Sequence, residues 1–275
     1  MAEGALETLL KRDRLIVAAS LVSITALAWA YLFWLSQGMN MSDAAMTAMP
    51  GMPDMAGMDM SGMDMSAPAW SAKLFLLNLA MWTVMMAGMM TPSAAPMILL
   101  YARVGRQATS QGKPFASAGW FAGGYLLSWA LFSLVATYMQ FMLDRGAFLN
   151  SSMSLASSRL GGLVFVIAGI YQWTPLKDSC LRQCRSPLSF IQQHGGFKPE
   201  IGGSLALGLR HGLYCIGCCW SLMALLFAVG IMNLAWVAAL AALVLIEKLA
   251  PGGRALSRIA GTGLIGAGAW LLYSA

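Results

Sequence analysis

The residues with most chemical promise stand in the run RHGLYCIGCCWSLM, where His211, Cys215, Cys219 and Met223 follow one another at four-residue steps and Cys218 lies three after Cys215. On a helix that spacing puts an imidazole, thiols and a thioether on nearly one face, a donor set suited to a soft cation such as Cu(I), with Ag(I) as its mimic. The bland alternative treats the cysteines as small hydrophobes and the histidine as a satisfied interhelical donor. Two further thiols, Cys180 and Cys184, stand four apart in KDSCLRQCRSP, near Lys177, Arg182 and Arg185, whose charges would favour thiolates. Read as a cytoplasmic loop pair, they would hold Cu(I) or act as a redox couple, His194 following later in the loop. A third group is MWTVMMAGMMTP, with Met81, Met85 and Met89 on a single stripe. Methionine there is ordinarily packing; the four-residue spacing also resembles the pore-lining sulfur rungs of eukaryotic copper importers.

The fourth group is of low complexity. Residues 39–65 hold ten of the chain's 22 methionines and four aspartates, with no Lys or Arg. Without branched aliphatics or aromatics to bury, the segment is expected to be a disordered, mobile external loop. Met58, Met60, Met63 and Met65, spaced around Asp59 and Asp64, offer neutral soft sulfur that oxidation to disulfide cannot remove. A linker that is incidentally methionine-rich is the other reading.

The elements that must position these donors are written in the hydropathy. Of 275 residues 59% are hydrophobic and 10% charged, with mean hydropathy +0.67. A chain so poor in charge cannot cover itself with polar surface, and its apolar runs exceed the ~18 residues that separate a bilayer span from a buried helix. Spans are expected near 15–36, 71–100, 116–142, 160–176, 203–231, 234–249 and 257–274. The fold class is an all-α, polytopic transmembrane helix bundle of about seven spans. The short fourth span and a last one rich in glycine (Gly261, Gly263, Gly266, Gly268) leave six open. Pro92 and Pro96 should kink or break the second span. The domains are 1–38, a cytoplasmic N-terminus and signal-anchor helix; 39–69, the Met/Asp-rich loop; and 70–275, the bundle.

The net charge of +6 comes from cations clustered between apolar runs. Lys11, Arg12, Arg14, Arg103, Arg106, Lys113, Lys177, Arg182, Arg185, Lys198, Lys248, Arg254 and Arg258 fall on one side if the N-terminus is inside, against Lys73, Arg145 and Arg159 outside. This bias explains the charge better than nucleic acid does, for which no basic, aromatic-interleaved module exists. The uncharged stretch after Arg14 is too long for a cleavable signal and reads as a retained anchor.

The runs MWTVMMAGMMTPSAAP, AGIYQWTPLKDSCLRQCRSP and GLRHGLYCIGCCWSLMALLFAVGIMNLAW together resemble a bacterial family of metal-binding integral membrane proteins of undefined function, over most of residues 70–250. The resemblance implies a multi-pass protein of the bacterial inner membrane with a metal site carried by Cys180, Cys184, His211, Cys215, Cys218 and Cys219. Expected partners are the lipid bilayer, the soft ion, and a copper chaperone or membrane enzyme that exchanges it. No phosphorylation or P-loop sequence is present, so a pump is not indicated. The expectation is a copper-handling protein, binding, transporting or delivering the ion, and not an enzyme. A transmembrane thiol-disulfide relay and a copper-holding assembly factor are the alternatives.

Overall fold

The computed structural model describes residues 2–47, 70–113, 116–150 and 153–274, with side chains from Leu15 onward except 38–47. Among the described residues there is no strand, only one isolated bridge between Leu149 and Leu155. The chain is a bundle of helices: α1 (Ala2–Thr47), α2 (Ala72–Ser110), α3 (Ala118–Arg145), α4 (Ser158–Tyr171), α5 (Pro175–Arg185), α6 (Pro187–Gln193), α7 (Ile201–Val229), α8 (Leu234–Leu249) and α9 (Gly253–Ser274).

Five of these are long and apolar enough to cross a membrane: Leu15–Gln37 within α1, then α2, α3, α7 and α9. Each of the seven expected spans corresponds to a helix, but α4 has 14 residues and α8 has 16. At 1.5 Å per residue these reach only about 21–24 Å, short of a ~30 Å hydrocarbon layer. Two expected boundaries change. The first helix continues to Thr47, so residues 39–47 are helical where a loop was expected, and the rest of the Met/Asp-rich stretch lies outside the described residues. The second helix runs unbroken through Pro92 and Pro96.

Local chemistry sets the helix ends. Ser71 accepts from Leu74 N–H, Thr174 from Lys177 N–H and Asn233 from Trp236 N–H, each satisfying an otherwise orphaned first-turn donor. Pro175 follows Thr174 at the first helical position, where its missing N–H costs nothing. Helix α7 stops at Gly230, whose φ of 99° suits a residue without a Cβ.

Helix α7 is central, packed by α3, α4, α5 and α8. It approaches α3 backbone to backbone: a Cβ on Gly124 would stand 2.1 Å from the Leu205 carbonyl oxygen, and one on Gly208 2.0 Å from that of Phe121. Helices α4 and α9 interlock the same way through Gly162, Gly169, Gly261 and Gly268, the small-residue packing that lets helices associate where lipid competes for apolar surface. Gly263 and Gly266 face open space instead.

Candidate metal centre

All five cysteines gather around the middle of α7. Cys215, Cys218 and Cys219 are buried on its inner face, with His211 one turn before and Met223 one turn after, while Leu213 points outward at 55% exposure. The stripe is too long for one ion, since His211 to Met223 spans about 18 Å along the axis. Met223 ends it at an apolar cavity of about 510 Å³ shared with Trp82 and Phe227. Only donors about one turn from Cys215 can share an ion with it.

The partners of Cys215 come from α7 itself and from three other elements, α3, α5 and α8. The Cys218 and Cys219 thiols fold back on the Cys215 carbonyl at 3.1 and 2.9 Å. Helix α5 packs on α7, bringing Cys184 beside Cys215 and Cys218, and sets the Cys180 sulfur against Gly217, where a Cβ would stand 2.9 Å from it. Cys180 and Cys184, expected as a loop pair apart from the α7 stripe, stand instead on a helix, α5, that folds back onto α7 beside its cysteines. Hydrogen bonding to Cys215 and Cys218, then burial, push the Cys184 thiol up, whereas burial leads at Cys180.

Helix α8 secures that arrangement. Lys177, fully buried, pairs with Glu247 at 2.8 Å and also reaches Gln172, and Arg185 donates to the Ala250 and Pro251 carbonyls at 2.6 and 2.8 Å. These two cations do not serve the thiols as the sequence suggested. The one that does is Lys248, whose Nζ lies 2.8 Å from Cys215 Sγ and 3.1 Å from Ser93 Oγ. A buried ammonium needs an anion, and with Glu247 committed to Lys177 the anion in reach is the Cys215 thiolate. The Tyr125 hydroxyl, bonded to the Met90 carbonyl at 3.0 Å, stands 3.1 Å from the same sulfur.

The methionines of α2 divide between two neighbours. Trp82 stacks on Phe227 of α7 at 5.3 Å, Ser93 reaches Lys248, and the Tyr101 hydroxyl meets Ser204 of α7 at 2.5 Å. At 100° per residue Met89 falls in line with Trp82 and Ser93. Met81 falls in line with Gly88, which touches Ala28 of α1, and Met85 lies between the two lines. All three are buried, and of the three Met89 lies closest to the line that faces α7. Met58, Met60, Met63 and Met65 lie outside the described residues.

The donor set fits a soft ion of low coordination number. Among the described residues no three His, Cys, Asp or Glu side chains are arranged as a metal shell, which four-coordinate zinc would call for. Thiolate and thioether, by contrast, select Cu(I). Lys248 and Tyr125 were not singled out in the sequence. The available signal was a Glu247–Lys248 pair closing an otherwise uncharged apolar helix, since charge at that depth demands partners.

The described residues thus form a helix bundle with buried thiols gathered around one buried lysine. The chain belongs to the PpoB2 copper chaperone family, whose model matches residues 79–271. That match gives the resemblance noted above a function, copper handling, in place of an undefined one. No curated protein and no solved structure matches the chain significantly.

Proposed function

We propose that this protein is a membrane-embedded chaperone that holds Cu(I) at Cys215 with one neighbouring thiol, Cys184 or Cys218, as second ligand and hands it to a partner by ligand exchange, without catalysing a reaction. One observation carries the reading: Cys215 has a buried ammonium as its counter-charge and a second cysteine-bearing helix folded against it. A thiolate held ready binds Cu(I) without first losing a proton, and one neighbouring thiol, with Met89, supplies the further soft ligands. In this reading the chain crosses the bacterial inner membrane about seven times, α4 and α8 being its short crossings, and the cation bias puts the N-terminus inside. The Met/Asp-rich segment captures copper outside, where methionine survives oxidising conditions.

Metal analysis of detergent-purified protein from copper-supplemented cells tests this. Cys184→Ser with Cys215→Ser should lose the bound copper, while the outward-facing Leu213→Ser keeps it; full copper content in the double variant rejects the site.

A second reading, a thiol-disulfide relay, draws on the closeness of Cys184 to Cys215 and Cys218. Thiol counting under air separates the two. A relay accumulates a reversible disulfide between α5 and α7, whereas a chaperone keeps free thiols that Cu(I) protects from alkylation.

A further inference from the structure

Both histidines of the chain meet one aromatic ring. Phe190, fully buried on α6, has the His194 ring 4.4 Å and the His211 ring 5.1 Å from its own centre. His194 closes α6 just before Gly195 and Gly196, both at positive φ, and is half-buried where that helix meets the turn. Its Nδ1 lies 2.7 Å from the Phe190 carbonyl oxygen. A carbonyl can only accept, so Nδ1 carries the hydrogen and the neutral ring presents Nε2 as a free lone pair. This is how metal-binding imidazoles are oriented by a backbone partner.

His211 is the inner counterpart. It is 3% exposed, packed among Phe121, Tyr125 and Phe190, and its Nδ1 has no hydrogen-bond partner among the described residues. A buried ring nitrogen left without a partner costs free energy unless something else uses it. Cys215 follows one helical turn further on, about 6 Å along the axis.

We propose that His194, Phe190 and His211 form the portal through which Cu(I) reaches and leaves the cysteines. His194 Nε2 is the outer ligand, His211 the inner one, and the Phe190 ring the plug between the turn and the core. This rests on the reading that the cysteines hold Cu(I). Each exchange forms one Cu–N or Cu–S bond as another breaks, copper stays at +1, and no electron moves. The last step is to the Cys215 thiolate and displaces no proton from it. Aromatic packing around both imidazoles excludes water, which keeps the ion on protein ligands along the way.

The test is the rate of Cu(I) uptake by the full-length protein from a chromophoric bicinchoninate complex, followed together with the final copper-to-protein ratio. His194→Gln should slow uptake about tenfold or more while leaving the final ratio unchanged, as loss of an entry ligand does. Phe190→Leu should speed exchange in both directions. Diethylpyrocarbonate modification of His194 in the folded wild-type protein before loading should slow uptake as the variant does, without relying on any substitution. Wild-type uptake rates in His194→Gln and after modification overturn the portal, and leave the cysteine site standing. Failure of the wild-type protein to take up Cu(I) at all overturns the copper-holding reading itself.

Discussion

Lys248 Nζ lies 2.8 Å from Cys215 Sγ, and the carboxylate next to it in sequence, Glu247, faces Lys177 instead. Removing the ammonium should therefore return Cys215 to its neutral form. Lys248→Met, of similar length and apolar, is expected to gain one S–H absorption in the infrared, and to retain at least about tenfold less copper, since the thiolate is the ligand. The gain should vanish when Cys215→Ala is added. An unchanged S–H spectrum in Lys248→Met would show that Cys215 does not depend on this cation.

The Lys177–Glu247 pair is buried on both sides, with side chains 0% and 2% exposed. Glu247→Gln strands the ammonium and is expected to cost about 3–5 kcal/mol, whereas Lys177→Met with Glu247→Leu removes both charges and should be near neutral. Thermal unfolding in detergent reads the difference. Equal losses in the single and double variants would mean that shape, not charge, governs this contact.

Gly123 and Gly124 are neighbours with opposite surroundings. A Cβ on Gly124 meets the Leu205 carbonyl, while one on Gly123 meets nothing within 4 Å. Gly124→Ala should push α3 from α7 at a cost of about 1–3 kcal/mol. Gly123→Ala should stabilise by about 0.5–1 kcal/mol, because the mid-helix glycine loses entropy on folding. Melting temperatures moving in the same direction would refute the close α3–α7 approach.

Met89, in line with Trp82 and Ser93 on α2, should lie nearer the cysteines than Met81, in line with Gly88. With Met89→Cys, Hg(II) should bridge the new thiol to Cys215 or Cys219, giving a proteolysis-resistant link between α2 and α7. Met81→Cys should give none. Bridging from both positions would place the methionine stripe around a wider opening than the helix geometry allows.

Much of this was legible in the chain. The apolar runs announced every long helix, and the His211–Met223 spacing picked out the inner face of α7, because both signals are local and periodic. What stayed hidden is non-local. Lys248 reads as one more cation at a helix end until α8 is folded beside α7, and Cys180 and Cys184 read as loop thiols until α5 turns back on the bundle. Gly217 gave no sign in advance that it was the gap that admits Cys180. Helix α2 continues through Pro92 and Pro96 without a break, and Tyr125 and Lys248 meet its polar groups at that level.

Glu247 and Lys248 are joined by a single peptide bond, yet one tethers the helix that carries Cys184 and the other grips Cys215. Successive helical residues diverge by about 100°, so this one linkage acts as a gauge block, fixing how far apart the two sulfurs stand. Inserting or deleting one residue in α8 upstream of the pair would swing both side chains away together. Affinity for the ion and attachment of α5 then cannot drift independently, and variation in this stretch is confined to changes that keep both grips in step.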